Sequence, residues 1–231
     1  MKVFILLIKN FEGKMKNKHL FLIIIWACLA IVSRSFKFSI PIGEQSATFS
    51  CFVAVLPIIA YFFPSRIYLI GLFWFLTHLI HPIPLTAGIP TLLATLSWKA
   101  SNNRGISNLW MHFALPLLAI FLFIFSPNGK EAWPYALYWF IPIVCAFGQP
   151  NLLKRALQST FVAHAAGSIM WAYLTPIASF QWLALIPIVA LERATTTLFA
   201  IVVIKALSPL FIQCFAVKKV KNPTTPLFTE H

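Results

Sequence analysis

Aspartate does not occur in this chain; its five acidic residues, Glu12, Glu44, Glu131, Glu192 and Glu230, are all glutamates. Phosphoryl transfer and proteolysis that depend on an aspartate are thereby excluded. His-Glu-x-x-His, Gly-x-Ser-x-Gly and P-loop spacings are missing as well, which removes the zinc protease, the hydrolase elbow and the nucleotide cradle. The four cysteines, Cys28, Cys51, Cys145 and Cys214, stand singly in or beside apolar segments, with neither Cys-x-x-Cys spacing nor a His at ligand distance. They read as small packing residues, and neither a metal, a disulfide framework nor a cofactor is expected.

Charge of either sign is scarce. Only 10% of the 231 residues are charged, against roughly 25% in a soluble domain. What fills the chain instead is apolar: 60% of it is hydrophobic, Phe alone occurs 23 times, and the mean hydropathy is +0.84. So few polar side chains cannot cover the surface of a water-soluble core of this size, so the chain must meet an apolar solvent. That solvent is the lipid bilayer.

The formal net charge of +13 would suit a nucleic-acid partner if the basic residues formed a patch. They are scattered singly between apolar runs, so no nucleic acid is expected, and their spacing reads as membrane topology. Apolar segments lie at about 19–33, 47–64, 66–81, 85–98, 107–126, 134–148, 159–175 and 180–206. Those at 85–98 and 134–148 are short or broken by Pro and could be re-entrant or surface helices. With the N-terminus inside, Lys2, Lys9, Lys14, Lys16 and Lys18, then Arg66, Lys99 and Arg104, Lys154 and Arg155, and finally Lys218, Lys219 and Lys221 all fall on the inner side. The outer side keeps Arg34, Lys37 and Lys130. Basic residues are retained on the cytoplasmic side of short loops, so the pattern predicts both termini inside and an even number of crossings.

The expected fold is therefore all-α, a polytopic bundle of six to eight transmembrane helices, N-in and C-in, in the cell membrane; small size and charge bias suggest a bacterial inner membrane. A basic cytoplasmic segment at 1–18 precedes a single helical domain at 19–211, and a basic tail occupies 212–231. Met15 begins a stretch shaped like a signal peptide, but no Ala-x-Ala site follows and Trp26 spoils a lipoprotein-type site before Cys28; an uncleaved first helix is expected, with Met15 an alternative start.

An ionisable group inside a membrane costs about 2.5–3.5 kcal/mol to insert, so the few present are candidates for function. Glu192 and Arg193 stand side by side in an apolar run, followed by Thr195, Thr196 and Thr197. Neighbours on a helix project about 100° apart, so at least one of the pair must look into the bundle. Two readings follow. In one, Pro187 opens the last helix at the outer interface and water reaches the pair little more than one turn down. In the other, the pair lines a pocket for a small polar organic ligand, with Glu192 also favoured by the helix dipole.

His164, Ser168, Trp171 and Thr175 recur at helical spacing as one polar and aromatic stripe, and Ala163 with Gly167 forms a small-xxx-small pair that permits close helix approach. His164 is either a buried histidine bonded across a helix contact or a ligand or proton contact. As a serine-protease centre, His164 and Ser168 fail for want of a base on a separate helix and of an oxyanion motif. His78 and His81 share an i, i+3 spacing near Pro82 and Pro84, but no carboxylate or Cys accompanies them. Interfacial anchoring or a proline-shaped lid explains them better than a metal.

Ala163 to Thr175, then Leu185-Ile-Pro187, then Glu192-Arg193, together with the Tyr61-Phe-Phe-Pro64-Ser turn, resemble the substrate-binding S components of energy-coupling-factor vitamin transporters. In that family a small-residue helix with an aromatic end leads through a short outer loop to a Pro-led final helix bearing a polar residue in its first turns. The resemblance covers about a third of the chain, and it has Phe where the family's turn has Gly. It implies a membrane subunit that binds a vitamin or similar micronutrient from outside, partnered by a membrane scaffold and a pair of ATPases. Its pocket would be formed by His164, Trp171, Glu192 and Arg193, with Ser168 on the same stripe. Two other function classes stand beside transport: a non-catalytic assembly or scaffold protein binding partner helices, and an intramembrane enzyme, for which no catalytic grouping is found.

Overall fold

The structure, a computed structural model, describes residues 28–29, 33, 35, 37–42, 45–63, 85–102 and 105–216. The apolar segment at 66–81, His78 and His81, Pro64 of the aromatic turn, the basic segment 1–18 and the tail beyond Ala216 lie outside the described residues.

The described chain is helical, with one exception. Strands β1 (Lys37–Ile42) and β2 (Gln45–Ser50) pair antiparallel, Lys37 opposite Ser50 and Ile42 opposite Gln45. Pro41 is tolerated because a strand of a two-stranded ribbon always has one edge without a partner. The expected helix at 47–64 is corrected accordingly: Gln45–Ser50 is strand, Cys51–Ala54 a 3-10 turn, and only Val55–Phe62 (α1) is α-helix. Eight residues span about 12 Å, well short of a hydrocarbon layer.

Helix α2 (Leu85–Ala100) contains Pro90, and α3 runs Ile106–Ile124. Within α3 the turn Trp110–Ala114 is π-helical and ends two residues before Pro116. A proline has no N–H to give and its ring crowds the carbonyl four residues back; widening the preceding turn relieves both. A 3-10 helix (Trp133–Trp139) continues into α4 (Phe140–Ala146), which ends at Gly148 with φ +76°, the left-handed conformation that glycine adopts without strain. Helix α5 (Leu152–Leu174) starts at Asn151, whose side chain accepts a 2.9 Å bond from the Lys154 amide, and stops before Pro176. Helix α6 (Ser179–Ala216) opens with Gln181 accepting from the Ala178 amide at 2.9 Å, the back-reaching half of a capping box.

Among the described residues two helices, Ile106–Ile124 and Ser179–Ile212, are long and apolar enough to cross a membrane; Trp133–Ala146 is apolar but shorter. At 38 residues α6 measures about 57 Å, nearly twice a hydrocarbon thickness. It passes the domain boundary expected at residue 211.

Helices α2 and α5 lie antiparallel. Pro90 approaches Gly167 so closely that a Cβ there would sit 3.4 Å from Pro90 Cγ, Ser159 Oγ donates to the Ala94 carbonyl at 2.9 Å, and Ser101 Oγ meets Gln158 Oε1 at 3.0 Å. The small side chains of Ser159, Ala163 and Gly167 let the two backbones close, which is how helices bind each other where no hydrophobic effect drives them. The Ser101–Gln158 contact also gathers Lys99, Lys154 and Arg155 at one end of the bundle.

Two buried clusters flank the middle. At the Trp182 end, Phe123, Tyr135, Trp139 and Trp182 meet edge to face or stacked with centroids 4.9–6.1 Å apart. At the opposite end, Ala54, Ile58, Trp98, Ala156, Ala200 and Ile204 pack together, while Phe62 stacks on Phe211 at 4.0 Å. Loops at the Trp182 end are tied down: Asn128 Nδ2 donates to the Ile177 carbonyl at 2.8 Å, and Ser179 Oγ to the Asn128 carbonyl at 3.0 Å.

Candidate functional site

Between the two clusters the interior turns polar. Glu192 is 8% exposed and the Arg193 side chain 13%, so both members of the pair, not one, look into the bundle. Arg193 Nε and Nη2 donate to the two Glu192 oxygens at 2.8 and 2.6 Å, a fork-to-carboxylate pair. Arg193 Nη1 reaches the Thr160 carbonyl on α5 at 3.4 Å, and Thr197 Oγ1 meets Thr160 Oγ1 at 3.4 Å. Thr196 Oγ1 donates back to the Glu192 carbonyl at 2.9 Å.

The depth of the pair differs from the shallow placement at a Pro-led helix start. Helix α6 begins at Ser179, and Pro187 lies inside it, so Glu192 sits about 20 Å along the axis, level with the middle of α5. Water does not reach it from the helix end. Removing one partner of a pair buried this way leaves an uncompensated charge, which costs about 3–5 kcal/mol.

A crevice of about 20 Å³ opens beside the pair, at the junction of α1, α2, α5 and α6, walled by Pro57, Trp98, Ser159, Thr160, Arg193 and Thr196 among others. It has room for about one water molecule. Arg193 forms part of the wall; Glu192 does not.

His164 and Ser168, one helical turn apart on α5, are buried toward the aromatic cluster. Tyr135 Oη lies 3.1 Å from Ser168 Oγ, which lies 3.4 Å from His164 Nδ1. With the tyrosine donating to the serine and the serine to the imidazole, Nδ1 accepts and Nε2 carries the ring proton. That nitrogen is buried and has no hydrogen-bond partner among the described residues; the same holds for Trp139 Nε1 and Trp98 Nε1. The rings of Tyr135, Tyr138, Trp139 and Phe161 surround His164 at centroid distances of 5.3–6.2 Å. Arg193 lies within Coulombic reach of both His164 and Tyr135, so the ion pair and the imidazole share one polar interior.

Trp171 does not join them. It is 46% exposed although it shares a face with His164 and Ser168; Tyr173 and Leu174 beside it are exposed as well, while Tyr173 Oη donates to the Leu122 carbonyl at 2.8 Å. Ala163 is buried on the crevice wall, and Gly167 faces Pro90.

Periodicity did not single out two groups that the fold brings into the interior. Tyr135 reaches His164 from a 3-10 helix, where the 3.6-residue spacing that marks an inward face does not apply. His112, fully buried in the π turn of α3, gives its Nδ1 proton to Asn108 Oδ1 at 2.5 Å and shares a 2.8 Å bond with Ser97 Oγ on α2. A histidine in an apolar run, followed four residues later by Pro116, was the available signal.

No protein-family model, curated protein or solved structure matches the chain.

Proposed function

We propose that this chain is a multi-pass protein of the cell membrane, with both termini in the cytoplasm, that binds a small polar solute for transport and has no catalytic role of its own. The observation that carries this reading is the inside-out distribution of polarity. Glu192, Thr196, Thr197, His164, Ser168 and Gln158 are buried, while Leu117, Leu118 and Phe121 on α3 and Leu191, Leu198 and Val202 on α6 are 49–65% exposed. In water such an arrangement loses twice, once by desolvating charge and once by hydrating oil; in lipid the exposed side chains cost nothing and the polar ones find partners. The gathering of Lys99, Lys154 and Arg155 at one end supports a cytoplasmic face there.

Solute binding is supported by an ion pair held deep between α5 and α6, next to a crevice and three buried ring nitrogens without partners among the described residues. The finer reading, a substrate-specific subunit of the energy-coupling-factor kind served by a separate scaffold and ATPases, rests on the sequence resemblance alone, and the position of Pro187 inside α6 departs from the family's Pro-led helix. Gently purified protein is expected to release an endogenous small molecule detectable by mass spectrometry, at near-stoichiometric amount, and to lose it on Glu192→Gln with Arg193→Gln. Protein that folds in detergent, carries no small molecule and binds none from a cell extract would overturn the transport reading.

One observation favours a second reading, a scaffold that binds partner helices: Glu192 and Arg193 satisfy each other, and the crevice admits only about one water. Stoichiometric co-purification of another membrane protein, in place of a small molecule, would select it.

A further inference from the structure

Positive charge collects at one depth of the bundle. Trp98 of α2, Ala156 of α5 and Ile204 of α6 meet in one buried cluster, and Lys99, Arg155 and Lys205 are their immediate neighbours in the chain. Lys154 adjoins Arg155, so four cations on three helices share this level. Of the two carboxylates among the described residues, Glu192 is spent on Arg193, and Glu131 belongs to the loop tied down at the Trp182 end. Neither balances the cluster. Arg155 Nε is buried without a hydrogen-bond partner. Lys154 and Arg155 also stand at the start of α5, where the helix dipole is positive and a cation is least favoured. An anion placed here offsets all three costs.

The surface beside Lys154 narrows what carries that anion. Lys154 Nζ donates to the Phe147 carbonyl at 2.8 Å and lies over Gly148, where an added Cβ would stand only 3.3 Å from it. Its other two N–H groups have no acceptor among the described residues. Phe140, Val144 and Phe147, spaced i, i+4 and i+7 along α4 and its C-cap, form an apolar stripe 44–66% exposed, and Leu153 on α5 is 51% exposed. The stripe runs for about 10 Å and ends at the lysine. A free anion makes no use of it. A phospholipid does, with an acyl chain along the apolar side chains and the phosphate at the cationic end, and basic sites between helices on the cytoplasmic side are where such headgroups bind.

We propose that the α4 stripe and the start of α5 form a site for one anionic phospholipid of the cytoplasmic leaflet. Its phosphodiester is held by the free N–H groups of Lys154, Arg155 supplies a second positive charge beside it, and one acyl chain covers Phe147, Val144 and Phe140. Lys99 and Lys205 stand at the same depth on α2 and α6, so the bound headgroup also relieves the repulsion among cations that close helix packing brings to one level.

This site rests on the membrane reading, with the Lys154 end cytoplasmic, and is tested separately from solute binding. Full-length protein in a neutral detergent is titrated with phosphatidylglycerol, phosphatidylcholine and inorganic phosphate, and the retained adducts are counted by native mass spectrometry. One phosphatidylglycerol per chain, bound saturably and in preference to phosphatidylcholine, is the expected result. Lys154→Gln should weaken it about 5-fold, and Lys154→Gln with Arg155→Gln about 30-fold. Lys218→Gln with Lys219→Gln removes the same charge from the tail and should leave binding unchanged. Equal binding of the two lipids, uptake that does not saturate, or a tail variant as weak as the Lys154 and Arg155 variant overturns the proposal. So does inorganic phosphate that displaces the lipid, the mark of a site for a free anion. The two lipids compared on wild-type protein decide the matter even where a variant fails to fold. A chain that binds solute yet does not discriminate between the lipids loses this site alone; a folded monomer in detergent-free buffer would remove the membrane reading beneath it.

Discussion

Two helix contacts within the bundle are packed by opposite means. Around Trp182 the space between helices is filled with large rings, Phe123, Tyr135 and Trp139, in edge-to-face contact. Along α2 and α5 the same problem is solved by removing side chains: Ser159, Ala163 and Gly167 face Pro90 and Ala94, and the backbones close until a single added Cβ would touch. Rings suit helices that diverge and small residues suit helices that converge, and the Glu192–Arg193 pair lies at the seam, where neither kind of packing fills the space.

That contrast can be broken in graded steps. The largest effect is expected at the seam. Glu192→Ala strands a buried guanidinium and should cost about 3–5 kcal/mol, whereas Glu192→Leu with Arg193→Met should be close to neutral or stabilising in thermal unfolding in detergent while abolishing solute binding. If the single and double variants unfold alike, the pair is more solvated than its burial implies. At the aromatic end, Trp139→Ala should lose roughly 3–5 kcal/mol, since the ring is fully buried against Phe123 and Tyr135 and its removal leaves a cavity; a loss below 1 kcal/mol would mean that this end collapses freely. At the small-residue contact the error runs the other way. Gly167→Leu should destabilise by about 1–3 kcal/mol through overpacking on Pro90, and cysteine cross-links placed between α2 and α5 should show the helices forced apart. The smallest change is Tyr135→Phe, which keeps the ring and removes the hydroxyl bonded to Ser168; about 1 kcal/mol is expected, read as a small drop in melting temperature with the spectroscopic signature of the His164 ring altered.

Part of this arrangement could be read before folding. The Glu-Arg pair stood out because adjacent charges in an apolar run cannot both face lipid, and the small residues around His164 announced a close helix contact. One turn later, at Trp171, the stripe is 46% exposed, because helical spacing fixes which face a residue shares and says nothing about how fully neighbouring segments cover it. The shallow placement of the pair failed for a related reason. Proline at 187 looked like a helix start, but the residues before it, Ser179 to Ile186, already had partners, including Tyr138 Oη donating to the Ile186 carbonyl at 2.7 Å, so the helix ran on through the proline. The hairpin at 37–50 did carry a strand signal, since Phe38, Ile40 and Ile42 alternate with Lys37, Ser39 and Pro41, but it falls between the long apolar runs that marked the crossings.

Composition by itself determined the helical class: so little charge among so many apolar runs favours helices whose backbones bond within themselves, and two among the described residues are long and apolar enough to cross a membrane. Depth, partnership and chemistry were decided only by the tertiary structure. Which nitrogen of His164 is left alone, whether Arg193 faces a neighbour or an empty crevice, and how far Glu192 lies from water are set by contacts between residues distant in sequence, and such contacts exist only once the helices have chosen one another.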